Sequence, residues 1–443
     1  MKELLWLRRD KKALYAVISM PSLVLFQLGL LTNSPRRAYL LESTAHLPAL
    51  AFLSGSVAVL SVAGLLQLDG KALWLTFTFP RSFTGMLARR AVTWAPVCLG
   101  FALLPLGYGL TRQPLSLELV FRSAYCLTGL SLFTLISMGL AVQAIDPDAL
   151  EEEKRSFRGG RQVLLLTLLM ATFASGFYGD HWLGVTLTLL LAAAALGVWQ
   201  DVNRQVPFLL EPALSPPLRI GVSTGLVCVM VLLVLQAFGQ HFATTRFGLA
   251  PWPSQGAAFL GSVGVVAAGT LARFWRADRA QVRSLGLTWG ESRRATLLDG
   301  LYWAPLAIAL AAAATCATHY LPWLEEWALA GARGQPALVQ PIDWIVFLGL
   351  SLLGAPLCEE LIFRGMIYGG LRESLSPRLS AALAAAAFVA FHPSSAAIPV
   401  FLISLVAAAV FERSRSLVPS ILVHAAYNAT VLLVTLWTTA STG

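Results

Sequence analysis

The sequence predicts an all-α polytopic membrane protein, with about 13 transmembrane helices of bilayer-spanning length and a cytoplasmic N-terminus. Three observations carry this. Hydrophobic residues make up 57% of the 443 and charged residues only 12%, with a mean hydropathy of +0.69. That leaves too few polar groups to solvate a globule of this length. Apolar stretches of spanning length recur from one end of the chain to the other. The basic residues alternate between connecting segments, 25 Lys and Arg falling on those assigned inside and six on those assigned outside, the positive-inside pattern. The net charge of +9 is thus a topology signal, and no nucleic-acid partner is expected.

Taken in order, the spans are expected near 13–32, 46–68, 91–110, 121–145, 162–178, 182–199, 219–238, 256–275, 297–317, 342–370, 378–392, 397–411 and 418–437. The first follows Lys2, Arg8, Arg9, Lys11 and Lys12 and lacks a small-residue cleavage site, so it reads as a retained span. Cys98, Cys126, Cys228, Cys316 and Cys358 stand singly in apolar runs. Their spacing indicates neither a disulfide frame nor a thiolate metal site. His46, His181, His241 and His319 fall at span ends or in short outside loops, where interfacial anchoring is expected. The stretch 281–290, QVRSLGLTWG, reads as a cytoplasmic interfacial element. Segments 378–392 and 397–411 are too short to cross unaided, so the joint HPSSAAIP is expected to form a short re-entrant hairpin around 392–399.

A proline-rich stretch, 201–218, reads as a cytoplasmic linker between a six-helix membrane domain, 1–200, and a second domain, 219–443. Within the first half, LWLTFTFPRSFTGMLARRAVTWAPV (73–97) is faintly similar to the coupling region of ABC-exporter membrane subunits. That similarity implies an ATPase partner on a separate chain, since no Walker motif is present.

The chemistry concentrates in the last hundred residues. Three polar clusters interrupt successive apolar segments: Glu359-Glu360 with Arg364, Phe388 with His392, and His424 with Asn428. At about 100° per residue, Glu360 and Arg364 lie about 40° apart on one helix face, and Glu359 and Arg364 about 140° apart. Arg364 therefore pairs with Glu360 as a structural ion pair, and Glu359 points elsewhere. Counted at ~1.5 Å per residue from the cytoplasmic helix ends, Glu359 and Asn428 lie about 16 Å deep, His424 about 10 Å and His392 about 20 Å. Four polar side chains from three helices thus reach the middle of the bilayer, where each is costly and apolar packing would serve stability better.

A carboxylate and an imidazole can together hold and deprotonate a water. A second imidazole and an amide on one helix face can donate to a developing oxyanion. No serine or cysteine is positioned as nucleophile, Ser394 and Ser395 reading as turn residues, so the set describes attack by water on an acyl group. The same cluster would also suit a substrate or proton site in a transporter subunit, or a non-catalytic membrane protein that binds a partner.

EExxxR, FxxxH and HxxxN, in this order on successive membrane helices, resemble the CAAX-protease and bacteriocin-processing family (CPBP, also called Abi). The similarity runs over about 219–437 and is closest over 350–430, where FERSRSLVPSILVHAAYN is similar to the family's last motif region. The resemblance implies an intramembrane endopeptidase acting on a membrane-associated or membrane-presented peptide or protein. It implies that Glu359 activates water, that Glu360 and Arg364 fix the helix, that His392 helps bind the water, and that His424 and Asn428 polarise the scissile carbonyl. No cofactor is required by that mechanism. A divalent metal such as zinc would take Glu359, His392 and His424, but no HExxH is present. Alanine- and arginine-rich usage places the expected home in a bacterial cytoplasmic membrane.

Overall fold

The computed structural model describes residues 45–65, 83–111, 114–143, 160–178, 181–206, 221–274, 285–290, 292–320, 338–392 and 396–442, with 15, 18–19 and 21–22. These residues form helices and no strand, as a bilayer demands of a chain that must satisfy its backbone internally. The chain divides into two compact units, Met1–Pro216 and Pro217–Gly443.

In the first unit, α1 (His46–Leu65) packs on α2 (Phe83–Leu110) and α3 (Leu117–Gln143), with α4 (Gly160–Ser175) and α5 (His181–Gln205) against α3. Its centre is aromatic. Phe52 stands 4.8 Å from Phe173, which stacks on Tyr125 at 4.1 Å, and the Tyr125 hydroxyl donates to the Phe173 carbonyl at 2.8 Å. Helix α5 runs through Gln205, so the expected linker begins later than residue 201. Residues 207–220 lie outside the described ones.

The second unit holds α6 (Val222–Phe247), α7 (Pro251–Phe274), α8 (Arg293–Tyr320), α9 (Pro341–Leu371), α10 (Pro377–Val389), α11 (Ala397–Ser414) and α12 (Leu417–Thr442). Small residues let these helices approach closely. Ala307 and Ala311 of α8 are fully buried against Val423 and Tyr427 of α12 and Ile403 and Val410 of α11. The alanine run 384–387 does the same for α10. Helix α9 starts on Pro341, with Gln340 and Asp343 forming a capping box. It is not a uniform α-helix: Leu350–Gly354 and Leu361–Tyr368 wind as π-helix, a rare form that is frequent at functional sites. At its far end a Cβ on Gly370 would meet the Val222 backbone nitrogen at 2.5 Å, so α6 and α9 touch backbone to backbone.

Eight described helices are long and apolar enough to cross a membrane: α2, α3, α5, α6, α8, α9, α11 and α12. Among the described residues the expected count of thirteen is not confirmed. The first, 13–32, lies almost wholly outside the described residues. Helices α4 and α10, of 16 and 13 residues, are shorter than a crossing. Conversely, α11 is 18 residues long and qualifies as a span, which corrects the expectation that 397–411 is too short. The reason is that the helix continues through Glu412 to Ser414, where Arg415 at φ 53° ends it. Residues 393–395 of the expected re-entrant hairpin lie outside the described ones.

Of the stretch 281–290, residues 285–290 are described. Leu285 is buried, and the Gly286 carbonyl accepts from the Leu417 peptide N–H at 2.9 Å. The Ser416 hydroxyl donates to the Thr288 carbonyl at 2.6 Å. The loop is thus bonded to the α11–α12 turn, while Leu287 and Trp289 are exposed.

Candidate active site

Helix α9 supplies the acidic side of the cluster. Its three charged residues within the apolar run fall into two environments. Glu360 is fully buried, and its Oε1 stands 3.1 Å from Arg364 Nη1 and 2.8 Å from His424 Nδ1. Arg364, itself 2% exposed, also donates through Nη2 to the Ser404 carbonyl at 3.4 Å. The Glu360 Oε2 has no hydrogen-bond partner among the described residues. Glu359 turns another way: its side chain is 28% exposed and its Oε2 lies 3.8 Å from His424 Nε2.

His424 therefore stands between two adjacent carboxylates, one on each ring nitrogen. The Nδ1 contact with the Glu360 carboxyl fixes the ring's orientation and leaves Nε2 toward Glu359. Angular reasoning along α9 does not show this contact, because His424 comes from α12, 64 residues further on.

His392 lies just past the end of α10, where its peptide N–H bonds to the Val389 carbonyl at 2.9 Å. Its Nδ1 lies 3.0 Å from the Phe388 carbonyl. A carbonyl only accepts, so Nδ1 carries the proton and Nε2 presents a lone pair. The ring also rests on the Phe388 ring at 4.5 Å, and Phe388 meets the His424 ring edge-on at 5.8 Å.

Asn428, one turn beyond His424 on α12, donates from Nδ2 to the Ser351 carbonyl at 2.8 Å. Ser351 belongs to the first π-helical turn of α9. The amide thus binds a wall of the cluster, leaving its second N–H and its oxygen for other partners.

The structure brings Glu359, Glu360, Arg364 and His424 into one contiguous set, with His392 joined to it through Phe388 and Asn428 through α9. Among the described residues no three His, Cys, Asp or Glu side chains stand together as a metal-ligand group.

Two elements of the site escape a reading of motifs. The Ser351 carbonyl is one, and a backbone acceptor has no sequence signature. The other is a clamp at the end of α9, where Tyr368 donates to Glu412 at 2.7 Å and Arg372 and Arg415 reach the same carboxylate at 3.0 and 2.9 Å. It ties the helix carrying Glu359 to the C-terminus of α11.

These helices and this cluster define a polytopic membrane protein with an ionisable site inside a helical bundle. Residues 341–430, which run from the start of α9 into α12, match the family described as type II CAAX prenyl endopeptidase Rce1-like. Over that segment the chain carries the CPBP family's pattern, and the family is one of peptidases. No curated protein and no solved structure matches the chain.

Proposed function

We propose that this protein is an intramembrane endopeptidase that hydrolyses a peptide bond by water activated on Glu359. The observation that carries the reading is the division between two neighbouring carboxylates. Glu360 is fully buried and doubly engaged, whereas Glu359 is partly exposed and faces an imidazole nitrogen at 3.8 Å. One carboxylate holds the architecture and the other is available to chemistry.

In this mechanism a water lies between Glu359 and the lone pair of His392 Nε2. Glu359 takes one proton as the water oxygen attacks the carbonyl carbon, and the carbonyl π electrons move onto oxygen. The oxyanion accepts from the second N–H of Asn428 and from His424 Nε2 when that ring carries both protons. Glu360, at Nδ1, balances that charge while Glu359 holds the proton taken from water. Collapse of the intermediate breaks the C–N bond, and the proton held by Glu359 passes to the leaving amine. Atoms and charges balance with water as the sole co-reactant. The peptide is presented by the bilayer in which the eight spanning helices sit. The prenylated CAAX proteins in the matching family's name are the first substrates to test.

The test is Glu359→Gln in the full-length protein, assayed on membrane-presented peptides by mass spectrometry. Cleavage is expected to fall by several orders of magnitude while the melting temperature stays at the parent value, because the side chain is partly exposed. A Glu359→Gln protein that cleaves at the parent rate sinks the assignment.

A further inference from the structure

The ring of Phe388 touches both imidazoles and the buried cation. The Arg364 guanidinium lies over its face, 4.8 Å from the centroid. The His392 ring tilts against it at 4.5 Å and 59°, and the His424 ring meets it at 5.8 Å and 88°. Its own backbone carbonyl accepts from His392 Nδ1 at 3.0 Å and from the Phe391 N–H at 3.2 Å. Phe388 is 1% exposed and sits one residue before the end of α10.

We infer that Phe388 is a positioning residue for the hydrolytic site, holding His392 and His424 in mutual register and tying both to the Arg364–Glu360 pair. The inference rests on the endopeptidase reading above and adds a residue to it.

The physical case has three parts. His392 lies beyond its helix, so the helix ladder does not fix its side chain. Two contacts with Phe388 do so instead, the carbonyl setting the tautomer and the ring face limiting ring rotation. His424 is hydrogen-bonded at Nδ1 to Glu360 at 2.8 Å, and that single contact leaves the ring free to rotate about it; the perpendicular Phe388 ring opposes the rotation. The guanidinium on the ring face finds the π-electron density there in place of water, so the ring's own orientation is set by the charge it covers. One aromatic plane therefore correlates three groups that come from α9, α12 and the end of α10.

Phe363 provides an internal control. It packs on the same ring at 4.8 Å and on Phe391 at 5.9 Å and is 4% exposed, but it contributes the hydrophobic side of the cluster. Phe363→Leu opens a comparable void without taking the ring from the imidazoles.

The experiment compares Phe388→Leu, Phe388→Tyr, Phe363→Leu, Glu359→Gln and the parent, as full-length proteins in detergent or nanodiscs. Steady-state cleavage of a reporter peptide and the rate of diethylpyrocarbonate labelling at His392 and His424 are both measured. A misplacement of reacting groups by about 1 Å costs about 100-fold in rate. Phe388→Leu is therefore expected to lose about that factor in kcat with KM little changed, and to label faster at both histidines. Phe388→Tyr, which keeps the ring, restores kcat and slow labelling, and Phe363→Leu keeps most of the parent kcat. Equal losses in Phe388→Leu and Phe363→Leu, or parent-like labelling in Phe388→Leu, overturn the inference. Should Phe388→Leu fail to fold, Phe388→Tyr and Phe388→Met are compared, and equal kcat in these two overturns it as well. Parent-rate cleavage by Glu359→Gln overturns the endopeptidase mechanism instead, so the two failures are distinct.

Discussion

Replacing Glu360 by alanine strands a guanidinium inside the bundle. Arg364 is 2% exposed and its remaining contacts are the Ser404 carbonyl at 3.4 Å and the Phe388 ring at 4.8 Å. Both contacts exist before and after the substitution, so they cancel from the difference. What is lost is the carboxylate at 3.1 Å and its bond to His424 Nδ1 at 2.8 Å. Removing one partner of a buried pair costs about 3–5 kcal/mol, most of it the penalty of the uncompensated charge. A domain of roughly 200 residues loses about 2–4 °C per kcal/mol, so the melting temperature of this unit should fall by about 6–20 °C. The assay is thermal unfolding of the purified full-length protein in one mild detergent, followed by intrinsic fluorescence. Glu360→Ala combined with Arg364→Met removes the stranded charge and should recover much of the loss. Glu360→Gln keeps an acceptor for the His424 N–H and should fall between parent and Glu360→Ala. A Glu360→Ala protein that melts with the parent, or a double variant less stable than Glu360→Ala, would refute the coupling.

Two further substitutions probe the frame around the site. Gly286 has φ +77°, and a Cβ there would lie 2.5 Å from the Phe411 ring; Gly286→Ala should cost about 1–3 kcal/mol, read as a lower melting temperature, whereas Ala at Gly261, where nothing lies within 4 Å, should not. Asn428→Asp turns a donor into a carboxylate facing the Ser351 carbonyl at 2.8 Å, so it should lower kcat and stability together, while Asn428→Gln should spare stability better; equal melting temperatures for Asn428→Asp and the parent would argue against that hydrogen bond.

Composition and the recurrence of apolar stretches determine the class, since 12% charged residues cannot solvate a globule and helices are the economical way to satisfy a backbone in lipid. Spacing along one helix determines which carboxylate Arg364 can reach, because i and i+4 share a face whatever the rest of the chain does. Three motifs in order are enough to mark residues 350–430. None of this depends on how helices meet. The partner of His424 does: its contact with Glu360 spans 64 residues, and only packing of α12 against α9 decides it. The same holds for Asn428, whose acceptor is a main-chain oxygen in a π-helical turn, and for Phe388, two of whose three neighbours, Arg364 and His424, come from α9 and α12. The burial of Leu285 and Gly286 likewise depends on the α11–α12 turn. A sequence specifies contacts within a turn of helix directly, through periodicity. Contacts between helices depend on interhelical distance and rotation, which small residues such as Gly370 and Ala307 permit but do not by themselves prescribe.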